Sequence, residues 1–367
     1  MRVIDDVEAL DALEADWERL AAEDGGAGAS VFRGWPWNRL WWKHYAHLGT
    51  LHVLVVVRDG DTVCGIAPFY HTRTRALQSV RLKTLRFIGS GGDTSPDDLD
   101  VLVERERRDA IVDLLCRTLL ADASVERFEL RDLRPESAFA RAFPPCAVAV
   151  GLPAPSWQLE RRLVDELPSS VAAWREAAGR NARRRSRRRL NRLRRTGEGA
   201  FAPCRTPEEV ARAYAALVEL HRARRASLGE RGGFGSPSYV AFHEELTRAL
   251  LRRGELRLAT LALDGEIVAV EYGFATGGTL AFFQTGFDPA RAALAPGHLL
   301  MTWMIERGIE DGLERIDLLK GNYAYKGEYA RRWRETRSIE LYRSAPLARL
   351  VALARRLRAA LASAFAK

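Results

Sequence analysis

Between Leu256 and Leu319 the chain reads as a β-hairpin, a third strand, a helix opened by Pro-Gly and a fourth strand, an order that few folds accommodate. Leu256 to Ala262 alternates apolar with polar residues, Asp264-Gly265 supplies a tight turn, and Ile267 to Ala275 returns as the partner strand. Leu280 to Phe287 is aromatic and strand-like. Pro296-Gly297 then opens a helix over His298 to Asp311, and Gly312 closes it before the strand Arg315 to Leu319. The first turn of such a helix carries unpaired N–H groups and the positive end of the helix dipole, which together favour an anion.

This order resembles the catalytic half of a GNAT acyltransferase. Five runs narrow the likeness: LVELHRARRASLGERGGF (Leu217 to Phe234), the hairpin around Asp264-Gly265, FFQTGFDP (Phe282 to Pro289), APGHLL (Ala295 to Leu300) and IDLLKGNYAYKGEYARRW (Ile316 to Trp333). Together, over roughly residues 160 to 340, they resemble the CelD-like acetyltransferases, a GNAT subgroup associated with bacterial polysaccharide synthesis and allied to the Fem-type peptidyltransferases. The resemblance implies that the third strand splays from the fourth, that an acyl-CoA lies in the wedge, and that its pyrophosphate meets the following helix. Phe287, Pro296, Gly297 and His298 are then the cofactor-binding residues, with acetyl-CoA or another acyl-CoA as co-substrate. The sequence departs from the family at the pyrophosphate loop. RAALAPG (Arg291 to Gly297) keeps only the final glycine of Q/R-x-x-G-x-G/A, and the Fem-type relatives use the same scaffold with an aminoacyl group from tRNA.

A chain of 367 residues exceeds one ordinary domain and suits two. LVVVRDGDTVCGIAPF (Leu54 to Phe69) echoes LATLALDGEIVAVEYGF (Leu258 to Phe274), each a strand, an Asp-Gly turn and a strand. The expected fold is therefore α/β (α+β): tandem GNAT-like domains, each a mixed, mostly antiparallel sheet flanked by helices. The expected divisions are a degenerate domain over 1–160, the acetyltransferase domain over 161–345 with an arginine-rich helix at 170–196, and a basic amphipathic helix over 346–367. Two separate sheets joined near residues 155 to 200 follow from this scheme. The crowded aromatics of WPWNRLWWKHY (Trp35 to Tyr45) read as a core helix.

The formal charge of +9 is local. Ten arginines lie within Arg180 to Arg195, and six more cations lie within Leu341 to Lys367; without these sixteen the remaining chain carries −7. Pro168-Ser169-Ser170 starts the arginine-rich helix, Gly197 and Gly199 stop it, and Val171, Trp174, Ala178, Ala182, Ser186, Leu190 and Leu193 form one narrow seam. Three readings stay open: a solvated helix docked by its seam, an anionic-ligand site, or RNA contact. For the second, Arg184, Arg188 and Arg192 are the anion-binding candidates, with Arg224 beside them. The C-terminal helix either docks on the body or a second subunit, or makes peripheral contact with an anionic membrane.

Acyl transfer requires an amine to lose a proton, a carbonyl to be polarised and a thiolate to be protonated. Glu271, a carboxylate within the apolar run IVAVEYGF, becomes a general base if buried, whereas strand alternation would turn it to solvent. The family pattern implies an acid at Asp317, a tyrosine after that strand (Tyr323 or Tyr325) to protonate the thiolate, and a lysine, Lys326, to hold a phosphate or developing charge. His221 in LHRARR is the remaining catalytic candidate, set against a purely structural role.

Other chemistries lack their motifs. The histidines give no ligand pair with a matching carboxylate, so no metal is expected. FIGSGGDTSPDDLDVL (Phe87 to Leu102) lacks phosphate-loop spacing and reads as a loop feeding the strand Leu99 to Val103, and no G-x-S-x-G is present. The four cysteines fit neither a zinc nor a disulfide framework. The acidic N-terminus and the lack of a long apolar stretch point to a cytoplasmic address. The expectation is N-acyl transfer from CoA to an amine on a small molecule, possibly a sugar or polysaccharide precursor. The alternatives are a Fem-like aminoacyl-tRNA-dependent transferase with tRNA as partner, and a non-catalytic module for anionic polymers. Acceptor, acyl length and oligomeric state stay open.

Overall fold

The computed structural model describes residues 1–23, 30–77, 80–134, 136–321 and 324–365. They fall into two compact units: one holds Phe32–Glu160 with the N-terminal segment and Glu335–Lys367, the other Arg161–Arg334. The chain passes from the first unit to the second inside one strand, at Glu160–Arg161, and returns inside another, at Arg334–Glu335. The expected 161–345 division therefore differs at its end, because the returning strand pairs with first-unit residues.

The first unit begins with β1 (Arg2–Ile4), α1 (Val7–Asp11), α2 (Glu14–Glu23), α3 (Trp35–Tyr45), β2 (Gly49–Arg58), β3 (Thr62–Arg75) and β4 (Arg81–Phe87). It continues through β5 (Leu102–Val103), α4 (Arg108–Ala121), β6 (Arg127–Leu133) and α5 (Ala138–Ala149) into β7 (Ser156–Glu166). The strands β1, β2, β3 and β4 pair antiparallel in that order, and β6 lies parallel to β4. Trp37 and Trp41 of α3 are fully buried, so the aromatic run is core. The loop expected to feed a strand at Leu99 keeps only Leu102–Val103 as strand.

The second unit follows with α6 (Val171–Ala177), α7 (Gly179–Thr196), β8 (Gly199–Pro203), α8 (Pro207–Ser227), α9 (Pro237–Arg252), β9 (Leu256–Leu263), β10 (Glu266–Thr276) and β11 (Thr279–Phe287). Then come α10 (Pro296–Glu310), β12 (Arg315–Asp317) and β13 (Arg332–Tyr342). Its strands repeat the first unit's plan, with β8, β9, β10 and β11 antiparallel and β12 parallel to β11, but they belong to one thirteen-stranded sheet and not to the second of two separate sheets that the sequence suggested. The two hairpin turns share an Asp-Gly pair at positive φ but differ in length: Asp264-Gly265 is a two-residue turn between the paired Leu263 and Glu266, whereas Asp59-Gly60-Asp61 spans three residues between the paired Arg58 and Thr62. The single arginine-rich helix expected over 170–196 is two helices, broken at Gly179, whose φ is 80°. Its seam docks as expected: Leu193 is buried, with Val171, Trp174 and Leu190 packed on the same core.

In the first unit β13 pairs with β6, and α11 (Ala345–Phe365) follows. Val351 packs with Leu82 and Tyr342, and Arg355 pairs with Glu340, so one face of α11 is docked on the body. No helix among the described residues is long and apolar enough to cross a membrane.

Candidate active site

The second unit opens its sheet where β11 and β12 part. The two pair only from Thr279–Arg315 to Ala281–Asp317, while β11 runs on to Phe287. Beyond Ala281 the β12-facing edge of β11 has no strand across from it. Two side chains bend the chain away there. Asp317 accepts from the Leu319 N–H at 2.8 Å and from Arg334 at 2.7 Å, while the Lys326 ammonium donates to the carbonyls of Leu318, Leu319 and Lys320 at 2.6, 3.2 and 2.6 Å. Leu319 sits at a φ of 51°, a left-handed conformation that these contacts hold in place.

Next to this opening lies a cavity of about 330 Å³ with Glu271 and Thr285 in its wall. The register places Glu271 directly opposite Thr285, whose hydroxyl donates to Glu271 Oε2 at 2.7 Å. Glu271 Oε1 is buried without a hydrogen-bond partner. Burial drives the carboxyl pKa up to about 8, against the opposing pull of the Thr285 bond and of the Lys326 and Arg224 charges. The alternation that would turn Glu271 to solvent does not apply, because β10 is buried from Val268 through Phe274, with α8 and α10 both packed on it. Gly273, at the bulge after Tyr272, allows β11 this close: a Cβ there would lie 2.3 Å from the Ala281 carbonyl oxygen.

The rim is the start of α10. Ala295 has a φ of 54°, Pro296 occupies the first turn, and no side chain caps the helix. Gly297 and His298 complete that part of the wall, with Phe287, Met301 and Tyr325 around them. His298 Nδ1 is 2.8 Å from the Tyr329 hydroxyl, and burial together with the Arg189 and Arg185 charges lowers its pKa against the pull of Glu328. Arg189 donates two hydrogen bonds to Glu328, at 3.0 and 3.4 Å. Burial would raise the Glu328 pKa, but the Arg189 bond and charge hold it below the ordinary value. Arg224, on α8, lies over the Phe287 ring at 4.6 Å and faces the cavity.

One wall thus gathers Glu271, Tyr325, Phe287, Pro296, Gly297, His298 and Arg224. Other candidates lie elsewhere. Asp317 and Lys326 are engaged with backbone and Arg334 as described, so the lysine clamps a turn through its three carbonyl contacts. His221 does not line the cavity; it packs edge-on against Phe234 at 5.0 Å, and burial with the Arg225 and Arg224 charges lowers its pKa to about 4. Arg184 and Arg188 lie on the exposed side of α7, and Arg192 donates to the Ala293 carbonyl. The helical turn of about 100° per residue brings Arg185 and Arg189 toward Glu328 instead. Tyr323 lies outside the described residues. Sequence reasoning missed Thr285, Arg189, Glu328 and Tyr329. The cross-strand partner of Glu271 required the register, and the choice of arginines required the angular phase of α7.

Residues 180–327 match the family model described as the acetyltransferase (GNAT) domain. No curated protein matches the sequence. Among solved structures, the chain is similar to FemX, at 11% identity and a TM-score of 0.61, with 95% of this chain and 99% of that one covered. A second is the C-terminal domain of a putative lysylphosphatidylglycerol synthetase from Agrobacterium fabrum, at 13% identity, TM-score 0.53 and coverage of 95% and 97%. A third is a conserved protein of unknown function from Bacteroides thetaiotaomicron, at 12%, 0.56, 93% and 99%. At these identities the likeness to the solved structures is one of fold, and the match to the acetyltransferase (GNAT) domain is confined to residues 180–327.

Proposed function

We propose that the second unit transfers an acyl group, acetyl in the simplest case, from CoA to an amine acceptor, and that the acceptor is a sugar or polysaccharide precursor of the kind associated with CelD-like proteins. The observation that carries the reading is the buried Glu271 carboxyl, its pKa raised to about 8 and its Oε1 unpaired, in the wall of a cavity whose rim is an uncapped helix N-terminus. The residues fit an acyl-CoA: the α10 N-terminus and Arg224 favour its phosphates, and the open edge of β11 suits its pantetheine amide groups. The bound thioester supplies the activated acyl carbon. Glu271, once ionised, takes a proton from the acceptor ammonium; the amine nitrogen bonds to the acyl carbon, the carbon–sulfur bond breaks, Tyr325 gives a proton to the thiolate, and the proton that the nitrogen sheds on becoming an amide restores the tyrosine. The test is release of free CoA with amines of amino sugars as acceptors, read by thiol titration and by the mass of the acylated product.

An aminoacyl-tRNA donor is the second reading, favoured by the exposed face of α7 that carries Arg184 and Arg188, where a polyanion would sit. Activity that needs charged tRNA and disappears with ribonuclease, with acetyl-CoA inert, would select it.

A further inference from the structure

Two histidines that stand far from Asp122 in sequence meet it in the first unit. Thr50 pairs with His71 across β2 and β3, and His52, two residues along, shares the same face of the sheet. The two imidazoles are stacked with centroids 4.3 Å apart, and Asp122, the residue that ends α4, closes the group. One donor atom from each of the three residues lies within 4.8 Å of the other two.

The carboxylate is held in position. Asp122 Oδ1 accepts from the Ser124 N–H at 2.9 Å and from its hydroxyl at 2.6 Å, which turns Oδ2 toward His71. Oδ2 and His71 Nε2 are 3.7 Å apart, too far for a hydrogen bond, and His71 Nε2 is buried without any hydrogen-bond partner. Each imidazole has one ring-nitrogen lone pair to offer an ion, and the stacking sets the two rings side by side. Four charged or titratable groups face the pair: Asp122, Asp5, Lys83 and each other's ring. Asp5 continues β1 past the Ile4–Val53 pair and its charge acts on His52, while Lys83 donates to the Ser124 hydroxyl at 2.7 Å and opposes a cation from that side.

We propose that His52, His71 and Asp122 form a binding site for a zinc-class divalent cation, which clips β2 and β3 to the end of α4. Two imidazole nitrogens and one carboxylate oxygen suit this class of ion and leave a fourth position for water or Asp5. Small rotations of the two rings bring the three donors from their present spacing to metal-ligand distances. The site lies in the first unit and is independent of the acyl-transfer reading.

The experiment uses the full chain stripped with a chelator and titrated calorimetrically with zinc chloride at pH 7.5, with the melting temperature followed in parallel. One equivalent should bind and raise the melting temperature. His71→Ala and the isosteric Asp122→Asn should each weaken binding at least tenfold while their metal-free melting temperatures stay near wild type. Cobalt in place of zinc should give the visible absorption bands of a four-coordinate nitrogen–oxygen site, lost in His71→Ala. Absence of binding would overturn the proposal, and so would unchanged affinity in both variants. Should His71→Ala fail to fold, Asp122→Asn and the cobalt spectrum decide.

Discussion

The two units share a frame and differ where one of them is open. In each, a strand leads through an Asp-Gly turn to a longer strand; five residues into that longer strand, past one bulge, stands Glu271 opposite Ala259 in the second unit and Ala67 opposite Leu54 in the first. Glu271 faces Thr285 across β11, beside the cavity. Ala67 is fully buried, and beside it Ile66 pairs with the buried Leu102 of β5. A short extra strand, β5, thus takes beside β3 the place that the far half of β11 takes beside β10, and an alanine stands where the second unit has its carboxyl. The strand plan is present twice and the carboxyl once, and a buried carboxyl is tolerated only where its ionisation is useful or its proton is retained.

The largest expected effect comes from removing the difference. Glu271→Gln keeps the shape and the Thr285 contact but cannot take a proton, and kcat/KM for acyl transfer should fall about 100-fold or more. A fall under threefold would leave the two units chemically equivalent. The reverse exchange tests the other half of the comparison. Ala67→Glu introduces a carboxyl at the matching buried position, and should cost about 3 kcal/mol in urea unfolding at pH 7 without creating activity. A neutral substitution would show that the first unit also has room for a ligand.

Smaller effects refine the opening itself. Lys326→Met leaves the carbonyls of Leu318, Leu319 and Lys320 without their ammonium donor, so stability should drop by about 2 kcal/mol, with turnover reduced through the loosened turn. Lost turnover at unchanged stability would instead return the lysine to direct contact with the substrate. Arg224→Gln removes one guanidinium facing the cavity, and the KM for acyl-CoA should rise about fivefold with kcat nearly unchanged.

Much of this was legible in the sequence, and for physical reasons. The Asp-Gly turns, the Pro-Gly helix start and the alternating strands are local signals, and they place the hairpins and α10 within a residue or two. The wall residues Phe287, Pro296, Gly297 and His298 were named through the family resemblance that this order carries. What depends on packing was not legible. Strand alternation gives no sign that β10 is covered on both faces, so Glu271 could be read either way. Composition shows ten arginines between Arg180 and Arg195 but not the rotation that brings Arg185 and Arg189, rather than Arg184 and Arg188, toward Glu328. The three-carbonyl clamp of Lys326 and the meeting of His52, His71 and Asp122 are tertiary facts with no local signature.

The central claim is that Glu271 is the base, and the pH dependence of kcat/KM for acyl-CoA and a fixed amine acceptor tests it most directly. Because burial raises this carboxyl, it is protonated and idle at pH 6 and becomes ionised and active as the pH climbs through about 8. The wild type should therefore rise about tenfold per pH unit below that point and level off above it, while Glu271→Gln, at its much lower rate, should lack that ionisation. A wild-type profile flat from pH 6 to 9, or a variant that keeps the same ionisation near 8, would contradict the assignment.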